Sequence, residues 1–151
     1  MIEIKAFSAD DTIACGYKLA KLMESGGIIL LDGDLGAGKT VFTTGIARAL
    51  NISDYITSPT FTIVNMYVGD KQLNHFDVYR IEKEDLDDIG FWDYILPDTF
   101  VVIEWSQKIA GLLPRDTVEV NISKDLDKGL DYRSITIKCN GKYEELESKM
   151  I

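Results

Sequence analysis

Histidine occurs once in this chain of 151 residues, at His75, and cysteine twice, at Cys15 and Cys139. A lone histidine beside one acid is a poor metal-site candidate, and a packed, hydrogen-bonded ring is the simpler role. The cysteines are far apart and outside any Cys-x-x-Cys pattern, so neither a disulfide framework nor a zinc site is indicated. Buried, reduced thiols are expected instead. Basic charge is scarce as well: 16 Lys and Arg stand against 25 Asp and Glu, for a net charge of −9. Such a field repels phosphate backbones. A role involving RNA therefore requires a partner that supplies most of the RNA contact. No apolar run approaches the ~20 residues of a membrane helix. The start, Met1–Lys5, turns polar by Ser8–Asp11 without the apolar core of a signal peptide. A cytoplasmic chain is expected, with no membrane and no zinc. There is no repeat, low-complexity tract or linker, so residues 1–151 are expected to form a single domain with one sizeable core.

The remaining pattern is that of alternating strands and helices. Ser8 reads as an N-cap with Asp11 as its capping-box partner. Ile13, Tyr17, Leu19, Leu22 and Met23 follow at helical spacing, and Ser25-Gly26-Gly27 ends that helix. Ile28–Leu31 is short, continuous and apolar, as a strand buried on both faces should be. Phe42, Ile46, Ala49 and Leu50 mark a second helix that stops near Asn51. Phe61–Tyr67 and Gln72–Val78 read as a hairpin about the turn Val68-Gly69-Asp70. Glu82–Ile89 reads as an acidic, solvated helical turn, and Phe100–Ile103 as another buried strand. Thr117–Ile122 and Tyr132–Lys138 alternate apolar and polar residues. They suggest a C-terminal β-ribbon, about 117–138, around the polar loop Ser123–Asp131. The expected fold is α/β: a mixed, mostly parallel sheet flanked by helices, with antiparallel hairpin additions and ligands at the strand C-terminal ends.

Between the first buried strand and the second helix lies Gly33-Asp34-Leu35-Gly36-Ala37-Gly38-Lys39-Thr40, which fits the phosphate-loop pattern G-x-x-x-x-G-K-[ST]. Glycines let the backbone turn sharply and aim consecutive N–H groups at phosphate oxygens. The helix starting at Lys39 adds its positive end. Lys39 is expected to reach the β- and γ-phosphates of ATP or ADP, and the Thr40 hydroxyl to ligate Mg²⁺.

A phosphate loop needs acids to hold Mg²⁺ and to position a water. Glu104 follows four apolar residues, as in a Walker B strand, and Asp77 sits in His75-Phe-Asp-Val-Tyr-Arg80. Each acid is open to a metal-site role or to a solvated or ion-paired one. Ser58-Pro59-Thr60 lies where a γ-phosphate-sensing switch occurs in such folds, although Ser and Pro also favour plain turns. Trp105 is open to a core role or an exposed contact. Arg80, Arg115 and Arg133 are scattered, and none is an obvious arginine finger.

Four motifs together resemble the TsaE family, also called YjeE or YdiB: Gly33–Thr40, Ser58-Pro-Thr-Phe61, His75-x-Asp77-x-Tyr79-Arg80 and Glu104-Trp105. Thr12-x-x-x-Gly16 is similar to its N-terminal pattern, which adds Thr12 to the nucleotide-binding candidates. The likeness spans about residues 8 to 120. It implies the P-loop ATPase component of bacterial tRNA threonylcarbamoyladenosine modification. By that resemblance Asp77 and Glu104 are the acidic site residues, and Thr60 belongs to a switch-like loop. The implied partners are TsaD and TsaB, with tRNA touched only indirectly. Two rivals stand beside this reading. One is a small P-loop kinase acting on a metabolite, which usually needs an arginine-rich lid not visible here. The other is a nucleotide-gated binding module without turnover.

Overall fold

The computed structural model describes Met1–Ile151. Its strands are β1 (Ile2–Ala6), β2 (Gly27–Asp32), β3 (Val64–Val68), β4 (Gln72–Asp77), β5 (Thr99–Glu104), β6 (Thr117–Lys124) and β7 (Arg133–Cys139). The helices are α1 (Ala9–Leu22), α2 (Lys39–Ala49) and the short α3 (Leu146–Met150). One seven-stranded sheet runs in the order β1-β7-β6-β2-β5-β4-β3. The central four strands, β6-β2-β5-β4, are mutually parallel, and β3, β7 and β1 add antiparallel ladders outside them.

The local signals explain most element boundaries. Ser8 caps α1 by accepting from the Asp11 amide at 3.1 Å. Asp11 reaches back to the Phe7 amide at 2.9 Å, one residue outside the usual capping box. The hairpin begins later than its sequence suggests: Thr60 and Phe61 belong to a turn, and β3 starts at Val64. Ile63 there has φ +70°, a left-handed conformation that is strained for a β-branched residue. Glu82–Ile89 contains only one 3₁₀ turn, Lys83–Asp85, and Leu86 beyond it is fully buried. β1 and α3 have no counterpart in the sequence reading. β1 pairs with β7 from Ile2 opposite Ile137 to Ala6 opposite Arg133, so the C-terminal ribbon is an interior part of the sheet.

The two sheet faces are covered differently. Ile29, Leu31, Phe100, Val102, Val118 and Val120 point toward α1 and α2 in a core of 27 buried residues. Ile28, Leu30, Val101 and Ile103 form a core of 10 with Phe76, Leu86, Phe91 and Ile109. The segments covering that second face are 3₁₀ turns rather than helices. Cys15 and Cys139 are both buried and unpaired, and burial pushes each thiol up to about 11. Both are therefore unreactive protonated thiols near neutral pH.

The two long helices touch through glycine. A Cβ on Gly16 would lie 2.2 Å from the Phe42 carbonyl oxygen, and one on Gly45 would lie 2.0 Å from the Ile13 carbonyl oxygen. Both contacts are to backbone, which cannot step aside cheaply. This close approach fixes where α2, and hence the loop before it, sits. Gly45→Ala is expected to destabilise the fold by about 2 kcal/mol despite alanine's better helix propensity. Urea unfolding measures it, and an unchanged midpoint would show that the helices separate without cost.

Candidate functional site

Everything that carries chemistry meets at the C-terminal ends of β2, β4 and β5. The loop after β2 turns on three glycines with positive φ: Gly33 (+156°), Gly36 (+78°) and Gly38 (+108°). At Gly33 a side chain is excluded by contact as well, since its Cβ would stand 2.5 Å from the Ile122 carbonyl oxygen. Gly38 is the N-cap of α2 and offers no side-chain cap. The amides of Lys39, Thr40 and Val41 consequently have no hydrogen-bond partner within the protein. Three unpaired N–H groups at a helix start, with the helix dipole behind them, are donors suited to an anion.

Lys39 lies over this loop, almost fully buried. Its Nζ donates to the Gly33 carbonyl at 2.8 Å and stands 3.4 Å from Glu104 Oε1. The ammonium also lies 4.9 Å from the centre of the Trp105 ring. The cation is thus folded back onto its own loop, with one carboxylate as its counter-ion. Glu104, the last residue of β5, is itself buried. His75 Nε2 faces its Oε2 at 2.5 Å. An ionised carboxylate only accepts, so the ring nitrogen is the donor. Both oxygens of Glu104 are therefore held, one by Lys39 and one by His75.

The register of β4 against β5 sets Asp77 directly opposite Glu104. Asp77 Oδ1 accepts from the Tyr79 amide at 2.9 Å, and Oδ2 accepts from the Thr60 hydroxyl at 3.2 Å. Thr60 shares a 2.6 Å hydrogen bond with Ser58, and the Asp77 amide donates to the strained Ile63 carbonyl at 2.9 Å. The segment Ser58–Ile63 is thus latched onto the acid by side chain and backbone. A second left-handed residue, Trp105 (φ +61°), immediately follows Glu104 and packs at a tilt against Tyr79 with ring centres 4.8 Å apart. Strain beside both acids marks a site whose surroundings over-determine its geometry.

A cavity of about 310 Å³ is lined by Gly36, Gly38, Lys39, Thr40, Thr60, Asp77, Glu104 and Trp105, and also by Leu35 and Arg133. Gly33 and Asp34 line an adjoining cavity of about 240 Å³ that shares Lys39 and Trp105. Ala37 is buried and lines neither cavity. Thr12 lies in α1, buried, and its hydroxyl has no partner. It lines a smaller space of about 100 Å³ with Gly38, Val41 and Arg133. Three further side chains reach the site, none of which the sequence reading placed there. Asp32, at the end of β2, accepts from the Ser106 hydroxyl at 3.1 Å, and burial raises its carboxyl above the usual range. His75 supports Glu104, and Arg133 lies against the loop.

A model of the family described as threonylcarbamoyl adenosine biosynthesis protein TsaE matches residues 6–135. The chain belongs to the TsaE family. A TsaE protein of Treponema pallidum is 42% identical over 116 residues, covering 76% of this chain and 86% of that protein. One from Bacillus subtilis is 37% identical over 144 residues, covering 94% and 89%. Both relatives are named as tRNA threonylcarbamoyladenosine biosynthesis proteins. The crystal structure of Bacillus subtilis YdiB superposes with a TM-score of 0.78 at 31% identity, over 99% of this chain and 93% of that one. No helix of the chain is long and apolar enough to cross a membrane.

Proposed function

We propose that this TsaE-family chain binds ATP with Mg²⁺ in the 310 Å³ cavity and hydrolyses it slowly in the cytoplasm, as part of tRNA threonylcarbamoyladenosine biosynthesis. One observation supports this above the others. Lys39, Thr40, Thr60, Asp77 and Glu104 converge on a single cavity at the uncapped start of α2. The donor set fits the ligand: free amides and an ammonium for phosphate oxygens, and a hydroxyl with two carboxylates for a hard divalent cation. Gly33–Thr40 would hold the phosphates, and Thr40 the metal, with Asp77 and Glu104 beside it. Thr12, with its unpaired buried hydroxyl, would meet the nucleotide on the α1 side. Mg²⁺, when bound, would neutralise phosphate charge, and Asp77 and Glu104 would help to hold it and to position a water. Thr60, hydrogen-bonded to Asp77, would sense that acid's engagement.

The expected target is a transferase complex of the TsaD–TsaB type, not tRNA itself, because the net charge of −9 opposes direct RNA binding. The adjoining 240 Å³ cavity is the one feature that favours a small-molecule kinase, since an acceptor could sit there beside Lys39. A direct measurement separates the two. Affinity for the transferase complex is expected to differ by roughly tenfold between ADP and a non-hydrolysable ATP analogue, because a nucleotide switch must bind its partner differently in its two states. Equal affinities, with phosphate release unchanged in the complex, would sink the coupling and favour the kinase.

A further inference from the structure

The C-terminal ribbon has a feature at odds with the chain's overall charge. Its outermost cross-strand pair is Lys124 on β6 opposite Arg133 on β7. Both reach over the phosphate loop. A Cβ on Gly36 would lie 3.3 Å from Lys124 Nζ, and one on Gly38 would lie 3.5 Å from Arg133 Nε. Neither cation has a carboxylate oxygen within 4.0 Å, although the chain carries 25 Asp and Glu. Five other lysines, Lys39, Lys71, Lys108, Lys128 and Lys138, do find such partners. Two unpaired cations side by side repel each other, and a polyanion between them and the loop would relieve that repulsion.

Arg133 is only partly committed. Its Nε donates to the Ala37 carbonyl at 2.6 Å, and its Nη1 donates to the Leu130 and Tyr132 carbonyls. Its Nη2 has no hydrogen bond, and the residue lines both the 310 Å³ cavity and the 100 Å³ space that holds Thr12. The carbonyl bonds fix the guanidinium plane, so the remaining donor edge is pre-aimed with little rotamer entropy left to lose.

We propose that the β6–β7 ribbon is part of the nucleotide site, with Arg133 and Lys124 supplying a second cationic contact to a bound nucleoside polyphosphate, separate from that of Lys39. The inference rests on the ATP-binding reading above and adds its second wall. It also gives the ribbon a role beyond completing the sheet: an internal cation pair closes over the loop from the side opposite Thr60 and Asp77.

Calorimetric titration of the full chain with ATP, ADP and AMP tests it, using Arg133→Lys, Arg133→Gln, Lys124→Gln and Lys39→Ala. Arg133→Gln is expected to weaken ATP and ADP by about tenfold or more, and AMP by less, since a charge-assisted contact grows with phosphate charge. Arg133→Lys keeps the charge and should retain most of the affinity. Lys124→Gln is expected to cost less, because that side chain is exposed. The Arg133→Gln/Lys124→Gln double variant should show a shallower fall of ATP affinity with rising KCl than the parent. Thermal midpoints of the unliganded variants separate these effects from a collapsed loop. If Arg133→Lys and Arg133→Gln weaken binding equally and the salt slope is unchanged, Arg133 is only a brace for the Ala37 carbonyl, and the proposal is overturned. Parental affinity in both glutamine variants, with Lys39→Ala still losing ATP, also overturns it and leaves the ATP reading standing. A parent chain that binds no nucleotide overturns both.

Discussion

Lys39→Ala is expected to weaken ATP binding by roughly 100-fold or more. The estimate comes from two charge-assisted hydrogen bonds to phosphate, each contributing about 1.5–3 kcal/mol. Arg133 and Lys124, at the loop's other side, do not replace them: the Lys39 ammonium occupies the space between Gly33, Glu104 and Trp105, which no other cation enters. The substitution has a second consequence. Glu104 is 3% exposed and loses the counter-ion on its Oε1, keeping only His75. Breaking a buried pair costs about 3–5 kcal/mol. Lys39→Arg is therefore the needed companion, since it keeps the charge beside Glu104 but places it on a longer, planar group. The expected order of ATP affinity is parent, then Lys39→Arg, then Lys39→Ala, with Lys39→Arg unfolding close to the parent's midpoint. Calorimetry that returned the parent's affinity for both variants would remove the phosphate-loop assignment.

The parts of this site legible in the sequence are the local ones. Gly33–Thr40 announces itself because each residue type serves its own backbone conformation or donor: the positive φ at Gly36 and Gly38 demands glycine, and the helix start needs no side-chain cap if an anion is to sit there. Glu104 is visible as an acid closing an apolar strand. Asp77 is visible as the acid of the motif His75-x-Asp77-x-Tyr79-Arg80, but its place beside Glu104 appears only when β4 pairs with β5 and sets the two acids opposite each other. That register depends on side chains from both strands, and no spacing in the sequence encodes it. His75 reads as a packed ring from its neighbours, which is correct, yet its bond to Glu104 arises because both point to the same side of adjacent strands. Arg133 reads as a scattered arginine like Arg80 and Arg115, because a strand far downstream in the chain carries it onto the loop. β1 is a five-residue strand whose alternation is visible, but its pairing with β7 is what makes it a strand. The hairpin start fails for a different reason. Phe61 and Thr62 have strand-forming side chains, but the Pro59 carbonyl accepts from the Thr62 and Ile63 amides and holds them in a turn. Tertiary demands at Asp77 override local propensity there.

Glu104→Gln is expected to lower phosphate release by roughly 100- to 1,000-fold while weakening ATP binding by less than about tenfold. The two effects separate because the proposed phosphate cradle rests on Lys39 and backbone amides, none of which the substitution removes. Glutamine nearly matches glutamate in shape but carries no charge, so it is a poor ligand for Mg²⁺ and a poor acceptor for a water proton. Its amide is also frustrated in this position. If its oxygen accepts from His75, its NH₂ faces the Lys39 ammonium, donor against donor. If its NH₂ faces His75, the ring must move its proton to Nδ1, which is buried and has no partner. Either arrangement turns the side chain or displaces Lys39, which accounts for a modest loss of binding. Asp77→Asn should act in the same direction with a smaller fall in rate. Its carboxylate is held by two neutral donors, Thr60 and the Tyr79 amide, and an amide oxygen can still accept from one of them. Single-turnover phosphate release with saturating ATP, paired with calorimetric affinity, checks both variants. An Asp77→Asn chain that is slower than Glu104→Gln reverses the assignment and makes Asp77 the principal acid. Release at the parent's rate in either variant means that acid is a structural partner of its strand neighbours, with no part in the chemistry.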